Sequence, residues 1–182
     1  MPDARCRSLS PLLVGTALAI AAGAAAVVPV RAEGPAVEPK AAFERLKSLA
    51  GTWEGQAGDG QPGMAATVTY RVASGGSVVE ETLFPGSPHE MISMYHLADG
   101  HLVMTHYCSM ANQPRMRLDA KASTADRLVF AFDGGTNFDP AKDVHIHSGV
   151  LEWKGDALHA DWAAWQGGRE AGHKVFELHR KK

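Results

Sequence analysis

The sequence predicts an all-β chain: an up-and-down antiparallel β-barrel of about ten strands behind one short N-terminal helix. Three observations carry that expectation. Runs of alternating apolar and polar residues recur along most of the chain. Gly, Pro, Asn and Asp clusters separate them at short intervals, and no long helical stretch lies between them to serve as a crossover. A sheet of that length without crossovers tends to curl and close, which removes its free edges. A β-sandwich is the other architecture this rhythm allows.

The chain opens with Arg5 and Arg7 ahead of an Ala/Leu/Val-rich run from about Pro11 to Val30, closed by the small-residue stretch Val30–Ala32. That order is the signature of a secretory signal, residues 1–32, cut after Ala32. The run approaches the roughly 20 apolar residues that span a bilayer. Its many Ala and Gly make it weakly hydrophobic, and nothing later would stop transfer. A secreted or periplasmic product with no stable membrane insertion is therefore expected. Without residues 1–32 the chain carries 15 Lys and Arg against 19 Asp and Glu, a net charge of −4. No basic stripe remains to suggest nucleic acid as a partner. Cys6 leaves with the signal, so Cys108 has no internal partner for a disulfide.

Residues 33–42, with Pro35 and Pro39, read as a linker, and residues 43–182 as one barrel domain. Phe43, Leu46 and Leu49 recur at helical spacing and predict a helix of about three turns. After Gly51 the period becomes two. Gly51–Gln56 and Ala66–Ala73 read as the first strands, the latter alternating Val68, Tyr70 and Val72 against Thr67, Thr69 and Arg71. The remaining strands are expected at Ser77–Phe84, Glu90–Leu97, His101–Met110, Pro114–Asp119, Arg127–Phe132, Val144–Trp153, Ala157–Trp165 and His173–His179. The turn sequences between them include SGG, PGSP, ADG, ANQP, KGD and QGGREAG.

The stretch LAGTWEGQ (Leu49–Gln56), a short helix followed by Gly-x-Trp on the first strand, resembles the calycin superfamily of lipocalins, fatty-acid-binding proteins and nitrobindins. The resemblance covers Phe43–Lys182 and implies that Trp53 closes one end of the barrel. Arg180, in the closing VFELHRKK, would pack on that tryptophan. The combined pattern GGSVVEETLFPGSPHEMISMYHL, THYCSMANQPRM and DVHIHSGVLEW also looks like a set of bacterial secreted or periplasmic proteins without an established activity. The resemblance therefore speaks to fold more than to function.

Histidine and methionine dominate the candidate chemistry. All nine histidines follow the signal. Residues two apart on a strand share a face, which pairs His145 with His147, His106 with Cys108 and Met104, and His96 with Met94. Were those faces to turn inward, imidazoles and a thiol would converge in one cavity. Two readings follow. In the first, a small, mainly apolar molecule binds in a cavity lined by Met94, His96, Met104, His106, His145 and His147, because methionine adapts to irregular apolar partners. Gln113 and Arg115 would stand at its mouth, in a segment whose Asn112 and Pro114 are first of all turn formers. In the second, His106, Cys108, His145 and His147 hold a transition metal.

Resemblance to nitrobindins adds haem, with His173 as axial ligand in HKVFELHR. An enzyme using the same pocket is the further alternative, although no Gly-x-Ser-x-Gly, P-loop or dinucleotide turn is visible, and His89 and His96 lie too far apart for the zinc-protease helix. A monomer or dimer is expected. The mature chain is expected to begin at Glu33, which N-terminal sequencing of the exported product checks; a product retaining Met1 would refute cleavage.

Overall fold

The computed structural model describes residues 36–59 and 63–182; the expected signal, residues 1–32, lies outside them. One helix, α1 (Pro39–Lys47), precedes ten strands: β1 (Gly51–Gly58), β2 (Met64–Ala73), β3 (Val78–Leu83), β4 (Met91–Ala98), β5 (His101–Tyr107), β6 (Gln113–Leu118), β7 (Arg127–Thr136), β8 (His145–Lys154), β9 (Ala157–Gln166) and β10 (Arg169–Arg180). Each strand pairs antiparallel with the next, and β10 pairs back onto β1, so the sheet closes. The up-and-down barrel is thus the architecture, and the sandwich is not. No helix among the described residues is long and apolar enough to cross a membrane.

The element ends differ from the expected ones for local reasons. Helix α1 begins at Pro39 instead of after the linker, because proline at the first helical position loses no hydrogen bond there. Strand β5 stops at Tyr107, since Cys108 opens a turn: its N–H donates to Asn112 O at 3.0 Å, and Ala111 N–H donates to Cys108 O at 3.0 Å. Strand β10 starts at Arg169, four residues ahead of His173, and pairs along nearly the whole of β9.

Helix α1 buries Ala42, Phe43 and Leu46 and stands at the end of the barrel where β1 starts and β10 finishes. There Trp53 is fully buried, and its indole N–H donates to Leu49 O at 2.8 Å. Above the same ring lies the guanidinium of Arg180, 4.3 Å from the centroid. That guanidinium also donates to Ala50 O at 2.8 Å and to Ser48 O at 2.9 Å, carbonyls just past the helix that no helical N–H can reach. A planar, forked cation can do all three at once. Around this end the interior is filled by Tyr95, Phe130, Leu102, Leu151 and Leu158, and Tyr95 packs on Phe130 at 5.6 Å between centroids.

Arg180→Ala is expected to lower stability by about 2 kcal/mol, from two lost charge-assisted hydrogen bonds and one cation–π contact. Urea unfolding checks this. Arg180→Lys should recover less than half of the loss, and an unchanged midpoint in Arg180→Ala would count against the closure.

Candidate functional site

Alternation along β3 places Val79, Glu81 and Leu83 inward, so a carboxyl occupies a position flanked by apolar residues. Glu81 is 1% exposed. Its cross-strand neighbours are Tyr70 on β2 and Ser93 on β4, and Ser93 in turn stands opposite His106 on β5. Four directly opposed residues on four adjacent strands thus form one polar row across the inner wall.

Hydrogen bonds hold the two ends of the row. Tyr70 Oη donates to Glu81 Oε1 at 2.6 Å, and Tyr95 Oη, one step along β4, donates to Oε2 at 2.9 Å. Ser93 stands directly opposite Glu81 in the ladder. On its other side Ser93 Oγ meets His106 Nδ1 at 3.0 Å. No Lys, Arg or His among the described residues forms an ion pair with Glu81.

Burial sets the electrostatics. It raises the Glu81 carboxyl above its ordinary range, and the hydrogen bonds from Tyr70 and Tyr95 only partly oppose it. Both tyrosines are pushed well above their usual value, by burial first and by the Glu81 charge second. For His106 burial works the other way and lowers the imidazole to about 4, so the ring is neutral at physiological pH.

Strand tilt carries the row obliquely along the barrel. Tyr70 lies toward the closed end, opposite Gly51, while His106 is one residue from the end of β5 and borders a cavity of about 410 Å³. That cavity occupies the open half of the barrel. Leu83, Met91, Ile146, Trp162 and Phe176 give it an apolar wall, and Asp59, Cys108, His173 and Lys174 also line it. The Trp162 ring lies flat against Gly149: a Cβ there would come within 2.0 Å of the indole carbons, so glycine makes the room for it. The His106 ring, tied to Ser93 through Nδ1, has no hydrogen bond from Nε2 to a described residue.

The expected site residues divide sharply. His106 is in the cavity wall. Met104 shares its face but is packed in the core and does not border the cavity. Met94 and His96 point outward, because Ser93 and Tyr95 take the inner positions of β4. Gln113 and Arg115 do not clamp a ligand at the mouth: the Gln113 amide oxygen accepts from Thr136 and Asn137, and Arg115 holds Asp133 on the outer surface beside Arg117.

His145 and His147 form a separate cluster away from the cavity. A bulge between Ile146 and Ser148 reverses the alternation of β8, so that Ile146 borders the cavity instead. His147 is stacked between Phe132, 4.5 Å away, and Trp165, 3.9 Å away. His145 Nδ1 faces Asp143 O at 3.0 Å, and a carbonyl only accepts, so Nδ1 carries the hydrogen. Nε2 of the neutral His145 ring then accepts from His147 Nδ1 at 3.0 Å. These are satisfied histidines of an aromatic cluster.

The candidate metal ligands are thus divided between the cavity wall and the aromatic cluster. Among the described residues, no three His, Cys, Asp or Glu side chains come together as a metal site. His173 meets a carboxylate at each ring nitrogen. Its two nitrogens meet Asp161 Oδ1 at 2.6 Å and Glu170 Oε1 at 3.1 Å, and these carboxylates, Asp161 foremost, raise its pKa. Neither known protein families nor curated proteins give a match to this chain.

Glu81, Tyr70, Ser93 and Trp162 were missed by the sequence reading. The signal was present in VVEETLF, where a glutamate stands in phase with Val79 and Leu83.

His106 gives the site a pH signature. The folded pKa of about 4 lies below the unfolded value near 6.5, so the unfolded chain takes up a proton first as pH falls. The stabilisation is complete above about pH 6.5 and is lost between there and about pH 4, by roughly 3 kcal/mol at most. The raised Glu81 acts in the opposite sense. Removing His106 alone should therefore flatten the acid-side loss. Denaturant melts of His106→Gln against the unaltered protein across that window check this; parallel pH profiles would refute it.

Proposed function

We propose that this chain is an exported, calycin-like barrel, a monomer or dimer, that binds a small, mainly apolar molecule in the open half of its interior. The observation that carries this reading is the hollow beside His106. One half of the barrel is filled by large side chains, whereas the other keeps a cavity of about 410 Å³ within a wall of Leu83, Met91, Ile146, Trp162 and Phe176. Ligand sites fall between about 300 and 1,000 Å³ and combine such a wall with a few placed polar groups. Here the cavity-side polar groups are His106 and, toward the mouth, Lys174, Asp59 and the His173 imidazole.

Calycin kinship is supported by the helix at the closed end, the Gly-x-Trp strand and the guanidinium of Arg180 over Trp53. Export is supported by the Arg5 and Arg7 start, the apolar run and the small residues at Val30–Ala32.

A neutral apolar fluorophore tests the reading. N-phenyl-1-naphthylamine is expected to brighten on addition to the purified barrel and to be displaced by whatever apolar compounds solvent extraction recovers from it. Ala164 lines the cavity, so Ala164→Trp should fill it and weaken the fluorophore by about tenfold or more, since an indole cannot share that volume with a ligand. A barrel that leaves the fluorophore dark, or an Ala164→Trp variant that binds it as well as the unaltered protein, would overturn the proposal.

A further inference from the structure

The cavity wall carries one group that an apolar ligand leaves unused. His106 is 5% exposed and its Nδ1 meets Ser93 Oγ at 3.0 Å, yet Nε2 has no hydrogen bond to a described residue. A buried polar atom on the wall of a hollow calls for a partner. Its neighbours on that wall are sulfur atoms. Cys108, Met91 and Met110 line the same cavity, and Cys108 is a free, half-buried thiol.

Strand register brings these groups together. His106 and Cys108 are two apart in the inward phase of β5, so they share a face about 7 Å from each other along the chain. On β4, Ser93 pairs with His106 and Ile92 with Tyr107, so the same register carried one residue further sets Met91 level with Cys108. Directly opposed residues have Cβ atoms about 4.5–5.5 Å apart. Bonds of about 2.0–2.3 Å put the donor atoms of one metal ion about 3–4 Å from one another. An imidazole, a thiol and a flexible thioether reach that spacing without moving the backbone. Met110, in the turn after β5, is 58% exposed and can fold its sulfur over the same place.

We propose that His106 Nε2, Cys108 Sγ and Met91 Sδ form a site for copper(I) in the cavity wall, with Met110 Sδ as a fourth donor. The donor set selects the ion. Thiolate and thioether sulfur favour copper(I), whereas zinc takes thiolate, imidazole and carboxylate. Among the described residues no three His, Cys, Asp or Glu side chains gather, so a zinc site is incomplete and only the thioethers complete one. Ser93 is the outer partner that fixes the ring: with Nδ1–H donating to Ser93 Oγ, the lone pair stands on Nε2. Binding changes no oxidation state. Copper(I) bonds to Sγ, the thiol proton leaves for solvent, and the imidazole and thioethers add without losing an atom. One thiolate cancels the single charge of copper(I), so the complex is neutral within a wall of Leu83, Ile146 and Phe176; a divalent ion would leave a net charge there. The site needs no organic molecule in the cavity.

Anaerobic titration of the purified protein with copper(I), added as its acetonitrile complex in the presence of the coloured chelator bicinchoninate, tests this. The protein is expected to draw about one copper(I) per chain from the chelator and to gain a near-ultraviolet thiolate-to-copper band. Cys108→Ser should abolish the band, and it, His106→Gln and Met91→Leu should each weaken retention about tenfold or more. Met94→Leu, on the outer face of the same strand as Met91, should hold the ion as the unaltered protein does. Equimolar zinc should leave the copper in place. Met91→Leu nearly conserves volume and keeps the fold, and circular dichroism checks each variant.

Copper(I) that stays with the chelator would overturn the site. So would any of the three ligand variants holding it as tightly as the unaltered protein, or zinc displacing it. If N-phenyl-1-naphthylamine binds and copper(I) does not, this inference fails alone. If copper(I) is held and the fluorophore stays dark, the apolar-ligand reading fails and the metal site stands.

Discussion

A carboxyl held inside the barrel with no cation beside it is the constraint on which this structure depends. An isolated buried charge costs several kcal/mol, and hydrogen bonds recover part of that only when every donor is in place. For Glu81 the donors come from both sides: Tyr70 from β2 and Tyr95 from β4. Each strand must therefore hold its register to within one residue. A slip of one position in β3 would turn Glu81 outward and bring Glu80, which ion-pairs with Arg71 on the outer surface, into the interior. An apolar residue at this position would pack more simply with Val79 and Leu83. What the carboxyl adds is specificity for one pairing of β3 with β2 and β4.

The two ends of the barrel divide the work that a single core would otherwise do. At the closed end, Trp53, Tyr95, Phe130 and the helix fill the lumen, and Arg180 ties the last strand to the carbonyls that follow α1. That end supplies the packed apolar volume that stabilises a domain of this size. The open end can then remain hollow, because its stability is borrowed through the continuous ladder from β1 to β10. The polar row crosses between the two regimes, with Tyr70 in the solid half and His106 at the wall of the hollow one.

How far the sequence could be read depended on whether a property repeats. All ten strands were legible, because alternation and turn residues recur and each run reinforces the next. For the same reason His106 was legible as sharing a face with Met104, but alternation alone did not say which way that face turns. His145 and His147 were not: two-residue spacing gives them the phase of Gly149, Leu151 and Trp153, and only a bulge between Ile146 and Ser148 takes them out of the lumen. One inserted residue has no periodic signature. Met94 and His96 went astray because β4 carries residues of mixed character on both faces, so its phase is fixed by what Ser93 and Tyr95 bond to on β3 and β5. Glu81 was readable in principle. A glutamate in apolar phase within a strand is the kind of local conflict that a chain tolerates where a group has work to do.

The opposed shifts at the two ends of the row have one cause. A dry wall penalises any charge, which lowers the imidazole and raises the carboxyl. Of the arrangements open to the row, the one with a carboxylate and an imidazolium puts two charges in that wall, and the one with both groups neutral puts none. The row therefore holds at most a single negative charge under ordinary conditions. The ladder keeps the two shifted groups apart. Ser93 stands opposite both Glu81 and His106 and bonds the imidazole at 3.0 Å, while the carboxyl takes its donors from the two tyrosines. Each polar group is thus answered by a neutral hydroxyl, and neither needs a counter-charge inside the wall.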